Sequence, residues 1–327
     1  MNRRMYRFVA SALAVGLLGL TGCSSAGEGA AETSTSEENV ELSVGITPIA
    51  NAASLYVALD QGFFEDEGLT VTPEVIQNAS TAVPSLLNDE LQVALMTSVP
   101  AVTAASKGVP IEIVSGNDRY PKDPSGDTTA LVAASGSGVK TTGDLGGKTV
   151  AVVGLKSAPE LALRIVLRDS GVDPDDVEVV EIAYPDMVSA LQSGRVDAAF
   201  VVDPFLNAAE ADGLPVIGHP FTEGLGGRTA LVWMASKQFA QGNQDAIEHF
   251  ARAMQRAGEY SNEHPEDVLD QLSEFTSLSD EAIKGSVAPT YDTEISDEDV
   301  ESYAQLLVDE GFIKEEFDTS GLLAPRR

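Results

Sequence analysis

Cysteine, histidine and basic residues are scarce in this 327-residue chain, and each scarcity excludes a class of chemistry. Cys23 is the only cysteine, so no intramolecular disulfide can form. The three histidines, His219, His249 and His264, are far apart and lack cysteine partners, which excludes the usual spacing of a zinc site. The chain has 20 Lys and Arg against 51 Asp and Glu, a formal net charge of −31. Such a surface repels nucleic acid, and we expect no nucleic-acid partner.

Motifs of enzymatic chemistry are also missing from the sequence. Gly147-Lys148-Thr149 resembles the end of a phosphate-binding loop, but that motif needs a glycine where Thr142 stands. A phosphate-binding loop also follows a strand, whereas this stretch lies at the start of one. The sequence contains no G-x-S-x-G nucleophile elbow. We therefore expect a protein that is not an enzyme and that uses no cofactor and no metal.

The apolar run near the N-terminus, Phe8 to Leu20, has 13 residues and is too short to span a bilayer, which takes about 20. With the preceding arginines it suits a cleavable signal peptide. The L-T-G-C stretch at 20–23 resembles the lipobox of bacterial lipoproteins, whose cysteine is lipid-modified after cleavage. The resemblance implies a signal peptide at 1–22 and extracytoplasmic anchoring to the cell membrane through lipidated Cys23. An ordinary secretory signal with an incidental cysteine is the alternative.

Residues 24–39, SSAGEGAAETSTSEEN, contain no large apolar side chain. Such a segment cannot bury enough surface to fold, so we interpret 23–40 as the lipidated cysteine and a flexible tether. The folded part is expected to begin near Val40. About 285 residues remain, which is enough for two lobes.

The folded part carries one alternation of short apolar strands and amphipathic helices twice, which predicts an α/β fold with mostly parallel strands. Predicted strands are 41–47, 70–76, 92–97 and 110–115 in the first unit, then 148–153, 177–182, 196–202 and 215–218 in the second. Predicted helices between them are 52–67, 80–89 and 99–107, then 158–170, 185–193 and 204–212. A strand at 229–235 and helices at 245–263, 266–275, 280–285 and 297–310 follow.

This pattern predicts two lobes of like construction, each a doubly wound sheet, followed by a helical C-terminal segment. Lobe 1 is expected to comprise 41–120 and 229–327, and lobe 2 to comprise 121–228. The two chain crossings, near 117–128 and 225–229, would form a hinge.

Four motifs in the mature chain resemble those of a known family. They are ALDQGFFEDEGL at 58–69, ASKGVPI at 105–111, DLGGKTV at 144–150 and LQSGRVDA at 191–198. In this order they resemble the extracytoplasmic solute-binding proteins of ABC importers, in the nitrate, sulfonate and taurine group that also includes thiamine-pyrimidine binders. The resemblance implies a type II periplasmic-binding-protein fold and a monomer that delivers a small solute to ABC permease subunits.

Ligands of open α/β sheets bind outside the carboxyl ends of the strands. Two lobes facing each other would therefore bring their strand-to-helix loops to one cleft. The predicted ligand-binding residues are Thr47, Asn51, Asn78, Thr97, Ser98 and Arg119 from lobe 1, and Lys156, Ser157, Tyr184 and Asp203 from lobe 2. For each serine and threonine, capping of a helix is the alternative role.

Charge suggests a class of solute. Arg119 is expected to pair with a carboxylate or sulfonate, Lys156 adds a second cation, and Asp203 would receive an ammonium or hydroxyl group. A small anion, in particular an aminosulfonate of the taurine type, would suit this set. A thiamine-precursor pyrimidine or aromatic heterocycle stacked on Tyr184 or Tyr120 is the alternative ligand. Presentation of a ligand to a sensor protein is an alternative to transport.

Overall fold

The strands in the computed structural model form two five-stranded sheets; the structure describes residues 39–76, 79–203, 205–276 and 283–325. The strands are β1 (Val40–Ile46), β2 (Leu69–Val75), β3 (Val93–Thr97), β4 (Ile111–Arg119), β5 (Thr129–Ala133), β6 (Thr149–Val152), β7 (Glu178–Glu181), β8 (Ala198–Val202), β9 (Val216–Gly218) and β10 (Thr229–Ser236). The first sheet contains β1 to β4 with β10, and the second contains β5 to β9.

The described helices cover these sheets and form most of the C-terminal part. They are α1 (Ala53–Asp60), α2 (Phe63–Asp66), α3 (Ala79–Leu87), α4 (Ser98–Ser106), α5 (Ala158–Asp169), α6 (Tyr184–Gln192), α7 (Phe205–Ala211), α8 (Pro220–Leu225), α9 (Lys237–Gly242), α10 (Gln244–Glu263), α11 (Pro265–Phe275) and α12 (Asp297–Asp309). The predicted helix at 280–285 lies partly outside the described residues. Among the described helices none is long and apolar enough to cross a membrane.

The two sheets have equivalent strand orders, β2-β1-β3-β10-β4 and β7-β6-β8-β5-β9. In each sheet the fourth strand runs antiparallel to its neighbours. These strands, β10 and β5, are the first strands that the chain enters after each passage between sheets. The predicted two-lobed α/β fold is confirmed.

The strand β5 is absent from the predicted set, because three of its five residues are Ala or Leu rather than the β-branched and aromatic types that favour strands. Another difference concerns the predicted helix at 52–67, which is two helices, α1 and α2. Gly62 separates them with a φ of 70°, a left-handed conformation that glycine adopts without a side-chain clash.

Three large, fully buried rings meet where the first sheet contacts α10. Trp233 of β10 lies edge-on to Phe250 with ring centroids 5.4 Å apart, and Phe64 stacks on the same ring at 5.5 Å. A second line of rings joins the lobes, since Phe221 contacts Phe200 of β8 at 4.7 Å and Tyr120, just after β4, at 4.6 Å. Aromatic packing therefore fixes both the first lobe and the region where the chain passes between lobes.

Candidate ligand-binding site

Each sheet has one topological switch point, where the chain reverses its direction of winding. In the first sheet β1 lies between β2 and β3, and in the second β6 lies between β7 and β8. The carboxyl ends of such central strands open a crevice that commonly binds ligands. The loop at 47–51 therefore lies beside Thr97 and Ser98 in lobe 1, while the loop at 155–157 lies beside Asp203 in lobe 2.

Two buried oxygen atoms at the lobe 2 switch point have no hydrogen-bond partner. Ser157 is the N-cap residue of α5, yet its Oγ makes no capping bond and is unpartnered. The carboxylate of Asp203 is hydrogen-bonded to Asn207, while its Oδ1 is buried and unpartnered. Burial raises the pKa of Asp203. Buried polar atoms left unpaired cost about 1–3 kcal/mol each, so these two oxygens are suited to receive groups of a ligand.

Two further buried hydroxyls lie on the lobe 1 side. Thr229 begins β10, next to the carboxyl end of β3, and its Oγ1 is buried without a partner. The buried phenol of Tyr303, on α12, lies within hydrogen-bonding reach of Tyr120, and burial raises the pKa of both phenols. The predicted site contains neither Thr229 nor Tyr303. The position of Thr229 at the start of a strand after a crossing was a usable signal, whereas nothing in the sequence marks Tyr303.

The strand β4 continues to Arg119 rather than ending at 115 as predicted, because its polar residues are bonded inside the protein. Asn117 Oδ1 accepts hydrogen bonds from Ser54 Oγ at 3.0 Å and from Trp233 Nε1 at 3.1 Å. Its Nδ2 donates to the carbonyl oxygen of Asn51 at 3.0 Å. This network ties the loop after β1 to the end of β4.

Asp118 is a second buried carboxylate in this network. Its Oδ2 accepts a hydrogen bond from the side chain of Asn51, a predicted site residue, and its Oδ1 accepts from the backbone N–H of Leu231 at 3.1 Å. Asp118 is 2% exposed. Burial raises its pKa to about 7, although the hydrogen bonds oppose the shift. Both carboxylate oxygens therefore have partners within the chain.

Arg119 directs all five of its N–H donors to protein acceptors. Nε donates to Asp292 at 2.6 Å, and Nη1 donates to Asp299 at 3.0 Å and to the carbonyl of Gly227 at 3.2 Å. Nη2 donates to the carbonyl of Glu294 at 2.9 Å and to Asp299 at 3.4 Å. A hydrogen bond from Arg119 is the main cause that lowers the pKa of Asp299 to about 2. Binding of an anionic ligand by Arg119 stays a prediction, and the geometry supports a structural role.

Lys156 also has partners within the chain. Its backbone adopts a φ of 56°, which is unusual for a residue with a side chain, and its N–H donates to Glu160 at 2.5 Å. Nζ donates to the carbonyl of Gly311 at 3.2 Å and lies 4.4 Å from the ring centroid of Phe312. These contacts fix the loop that precedes Ser157.

The two tyrosines considered as stacking surfaces differ in accessibility. Tyr120 is 7% exposed and packs on Phe221, so its ring already has an aromatic partner. Tyr184, the first residue of α6, is half-buried, and burial raises its pKa. Tyr184 also contributes to the raised pKa of Tyr120, so the two phenols lie near one another. Of the pair, Tyr184 is the more exposed.

The remaining predicted residues have mixed surroundings. Thr47 is half-buried after β1, and its carbonyl accepts from Ile49 N–H at 2.8 Å. Thr97 is the N-cap residue of α4 without a side-chain capping bond. Ser98 is buried and donates to the carbonyl of Thr229 at 2.8 Å, so the chain itself occupies its hydroxyl hydrogen. Asn78 and Cys23 lie outside the described residues.

The fold and its two switch points define the class of two-lobed binding proteins, and solved structures share it. The periplasmic aliphatic sulphonate binding protein SsuA from Escherichia coli superposes with a TM-score of 0.72 at 18% identity, over 87% of this chain and 97% of that one. The ligand binding component of an ABC-type import system from Staphylococcus aureus gives a TM-score of 0.70 at 14% identity, over 88% and 97%. These likenesses establish the fold.

The chain belongs to the NMT1/THI5-like family, whose profile matches residues 49–268. The taurine-binding periplasmic protein of Escherichia coli K12 is 28% identical over 239 residues, which cover 73% of this chain and 72% of that protein. The formylaminopyrimidine-binding protein of Halalkalibacterium halodurans is 24% identical over 244 residues, covering 72% and 70%. The predicted family resemblance is confirmed.

Proposed function

We propose that this protein is the solute-binding component of an ABC importer, which captures a small organic solute between its lobes and delivers it to the permease. One observation carries the proposal: unpartnered buried oxygens of Ser157, Asp203 and Thr229 lie at the carboxyl-end regions where each sheet offers a crevice. Relatives that bind taurine and formylaminopyrimidine, as their names state, support it. Binding of the solute would shift the population toward the conformation in which the two lobes lie close together.

The chemistry of these atoms favours a solute that carries both an amine and an anionic group. The free oxygen of Asp203 can accept from an ammonium, while the hydroxyls of Ser157 and Thr229 can donate to an anion. The first N–H groups of α4 and α5 add donors at the switch points. An aminosulfonate such as taurine meets these requirements better than nitrate, which has no amine for the carboxylate.

A pyrimidine or other nitrogen heterocycle is the second candidate. It is favoured by the half-buried ring of Tyr184 at the start of α6 and by the formylaminopyrimidine-binding relative. Such a ligand would stack on Tyr184 and donate from its amino group to Asp203.

A thermal-shift and calorimetry screen separates these candidates. The probes are taurine, ethanesulfonate as the matched sulfonate without an amine, nitrate, and an aminopyrimidine. A ligand at 100 times its dissociation constant stabilises by about 2.7 kcal/mol. We expect taurine to stabilise and to bind more tightly than ethanesulfonate. Binding of nitrate in preference to both sulfonates would contradict the proposed solute class, and binding of none would count against the transport role.

We further propose that residues 1–22 are a signal peptide, that lipidated Cys23 and the tether to residue 40 hold the protein at the outer face of the cell membrane, and that it works as a monomer. The first lobe is proposed to comprise 41–120 and 229–327, and the second lobe 121–228.

The lipid anchor is tested by the variant Cys23→Ala, which should move from the membrane to the soluble fraction. Retention of that variant in washed membranes would contradict the anchor.

The proposed transport role also predicts that the solute leaves the protein chemically unchanged, which mass spectrometry of the released ligand would check. Uptake into vesicles that contain the cognate permease distinguishes delivery from presentation to a sensor protein. Ligand-dependent uptake is expected for the transport role.

A further inference from the structure

One side of α5 carries charged residues at every fourth position. Lys156, just before the helix, is followed by Glu160, Arg164 and Arg168. Residues four apart lie one above the other on a helix, so Glu160, Arg164 and Arg168 form a charged row beside the apolar face of α5. Lys156 N–H donates to Glu160 at the start of this row.

The carboxylate of Glu310, which directly follows α12, binds the far end of this row. Its side chain is 2% exposed. Both terminal nitrogens of Arg168 donate to it, with Nη2 to Oε2 at 3.0 Å, and Arg164 Nε lies 3.7 Å from Oε2. Such two-point pairing of guanidinium and carboxylate fixes orientation as well as distance. The next two residues, Gly311 and Phe312, receive the Lys156 ammonium.

The partners in this contact belong to different lobes. The helix α5 follows β6 of the second sheet, whereas α12 is tied to the first sheet through Asp299 and Arg119 of β4. The C-terminal segment also joins the first sheet, since Leu323 pairs with Ile113 of β4. Lys156, Arg164 and Arg168 with Glu310, Gly311 and Phe312 therefore form an interlobe clasp, separate from the two chain crossings.

The clasp is positioned so that it can open. A groove of about 630 Å³ runs beside it, lined by Arg164, Arg168 and Glu310 together with the turn at 171–175. Arg168 is 49% exposed, so water already reaches one side of the pair. Separation of the lobes would transfer Glu310 from two guanidinium partners to water without breaking a strand or a helix.

We propose that the interlobe clasp stabilises the arrangement of lobes in which the Ser157 and Asp203 oxygens are sealed from solvent, and that it thereby sets the affinity for the solute. Lys156 links the two roles, because it is bonded to lobe 1 and adjoins Ser157 in the chain. The measured dissociation constant equals the intrinsic one divided by the fraction of protein in the competent arrangement. The affinity consequence rests on the proposed function, whereas the clasp itself does not.

Hydrogen exchange of the full-length chain, followed by mass spectrometry without added ligand, tests the clasp. The variants are Arg168→Met and Glu310→Gln, two independent ways to remove one pair. The matched control is Arg252→Met, since Arg252 is also 49% exposed and pairs with Glu67 inside lobe 1. The cleft peptides 47–52 and 199–203 contain no clasp residue. In both clasp variants, but not in the control, we expect the hydrogen-exchange rate of these peptides to be about tenfold higher than in wild type.

Faster exchange confined to 310–313 would mean a local contact only and would overturn the proposal, as would exchange equal to the control. Taurine calorimetry gives the second readout, with about tenfold weaker binding expected in the clasp variants. Tighter or unchanged taurine binding would overturn the link to affinity. If wild-type protein fails to bind taurine while cleft peptides still respond to the variants, the proposed solute is wrong and the clasp stands.

Discussion

The two lobes each bury a carboxylate near their switch point, and the two carboxylates are used differently. Burial raises the pKa of both Asp118 and Asp203. Both oxygens of Asp118 accept hydrogen bonds from lobe 1, from Asn51 and from Leu231. Asp203 keeps Oδ1 without a partner. The first carboxylate therefore holds the chain in place, while the second has one oxygen free for the proposed ligand.

The cations of the two lobes follow the same division. Arg119 donates to Asp292, Glu294 and Asp299 of its own lobe and to the carbonyl of Gly227 at the chain crossing. Lys156 and Arg168 of the second lobe donate instead to Gly311 and Glu310 of the first. With the same strand order, the main cation near the first switch point is therefore bonded mostly within its lobe, whereas these two cations of the second lobe bond across to the first. The predictions below test this division.

The largest expected effect is on the pH dependence of stability through Asp118. Its folded-state pKa of about 7 exceeds the ordinary value of 3.8, so the folded protein keeps a proton that the unfolded chain releases. The unfolding free energy should therefore fall as the pH rises from about 4 to about 7. In Asp118→Asn this contribution disappears, and the stability of the variant relative to wild type should rise by up to about 4 kcal/mol between those pH values.

Urea unfolding at a series of pH values measures this difference. Asp144→Asn is the control with the opposite sign, because hydrogen bonds from Lys140 N–H and from Thr141 lower the pKa of Asp144. The stabilising contribution of Asp144 is present above its ordinary pKa and is lost as the pH falls. A pH-independent difference between Asp118→Asn and wild type would refute the raised pKa.

The next effect concerns Arg119. Replacement by glutamine leaves Asp292 and Asp299 without their cation and should lower the unfolding free energy by about 2 kcal/mol. The affinity for taurine should stay close to that of wild type, because the wild-type guanidinium group already donates all its hydrogen bonds to the protein and has none left for a ligand. Arg252→Gln, an exposed pair in the same lobe, should cost less than about 1 kcal/mol. A large loss of affinity at unchanged stability would return Arg119 to the binding site.

Substitution of Asp203 in lobe 2 should have the opposite effect to substitution of Arg119, with a large loss of affinity and a small change in stability. Asp203→Asn removes the charge that receives an ammonium, so taurine binding should weaken by about tenfold or more, while stability changes by less than about 1 kcal/mol. Ethanesulfonate, without the amine, should lose much less affinity. Equal losses for the two sulfonates would show that Asp203 acts on the shape of the site rather than on the amine.

The smallest effect is expected at Ser157. Its Oγ has no partner within the chain, so Ser157→Ala should leave the unfolding free energy unchanged or slightly higher. Loss of one neutral hydrogen bond to the solute should weaken binding by about 1 kcal/mol. Ser98→Ala is the matched comparison, because the Ser98 hydroxyl is bonded to Thr229 and its removal should cost stability instead. Destabilisation by Ser157→Ala would indicate that its hydroxyl does cap α5.

Sequence patterns located elements where local periodicity and packing agree. The helix α10 was predictable because Ile247, Phe250, Met254 and Ala257 recur on one face, and all four are buried. The end of β4 was not, because Ser115, Asn117 and Asp118 look like a polar loop until distant residues such as Trp233 complete their hydrogen bonds. Long-range hydrogen bonding therefore overrode the local signal.

The sequence by itself determined the family, the α/β class and the pair of like lobes, because strand and helix periodicity and the motifs at 58–69 and 191–198 are local properties of the chain. The tertiary structure decided which polar groups are already occupied. Arg119 and Ser157 were both predicted as ligand contacts, yet Arg119 has acceptors from residues more than 100 positions away, whereas Ser157 Oγ has no partner. Hydrogen-bond partners are set by spatial proximity, which the order of residues does not reveal.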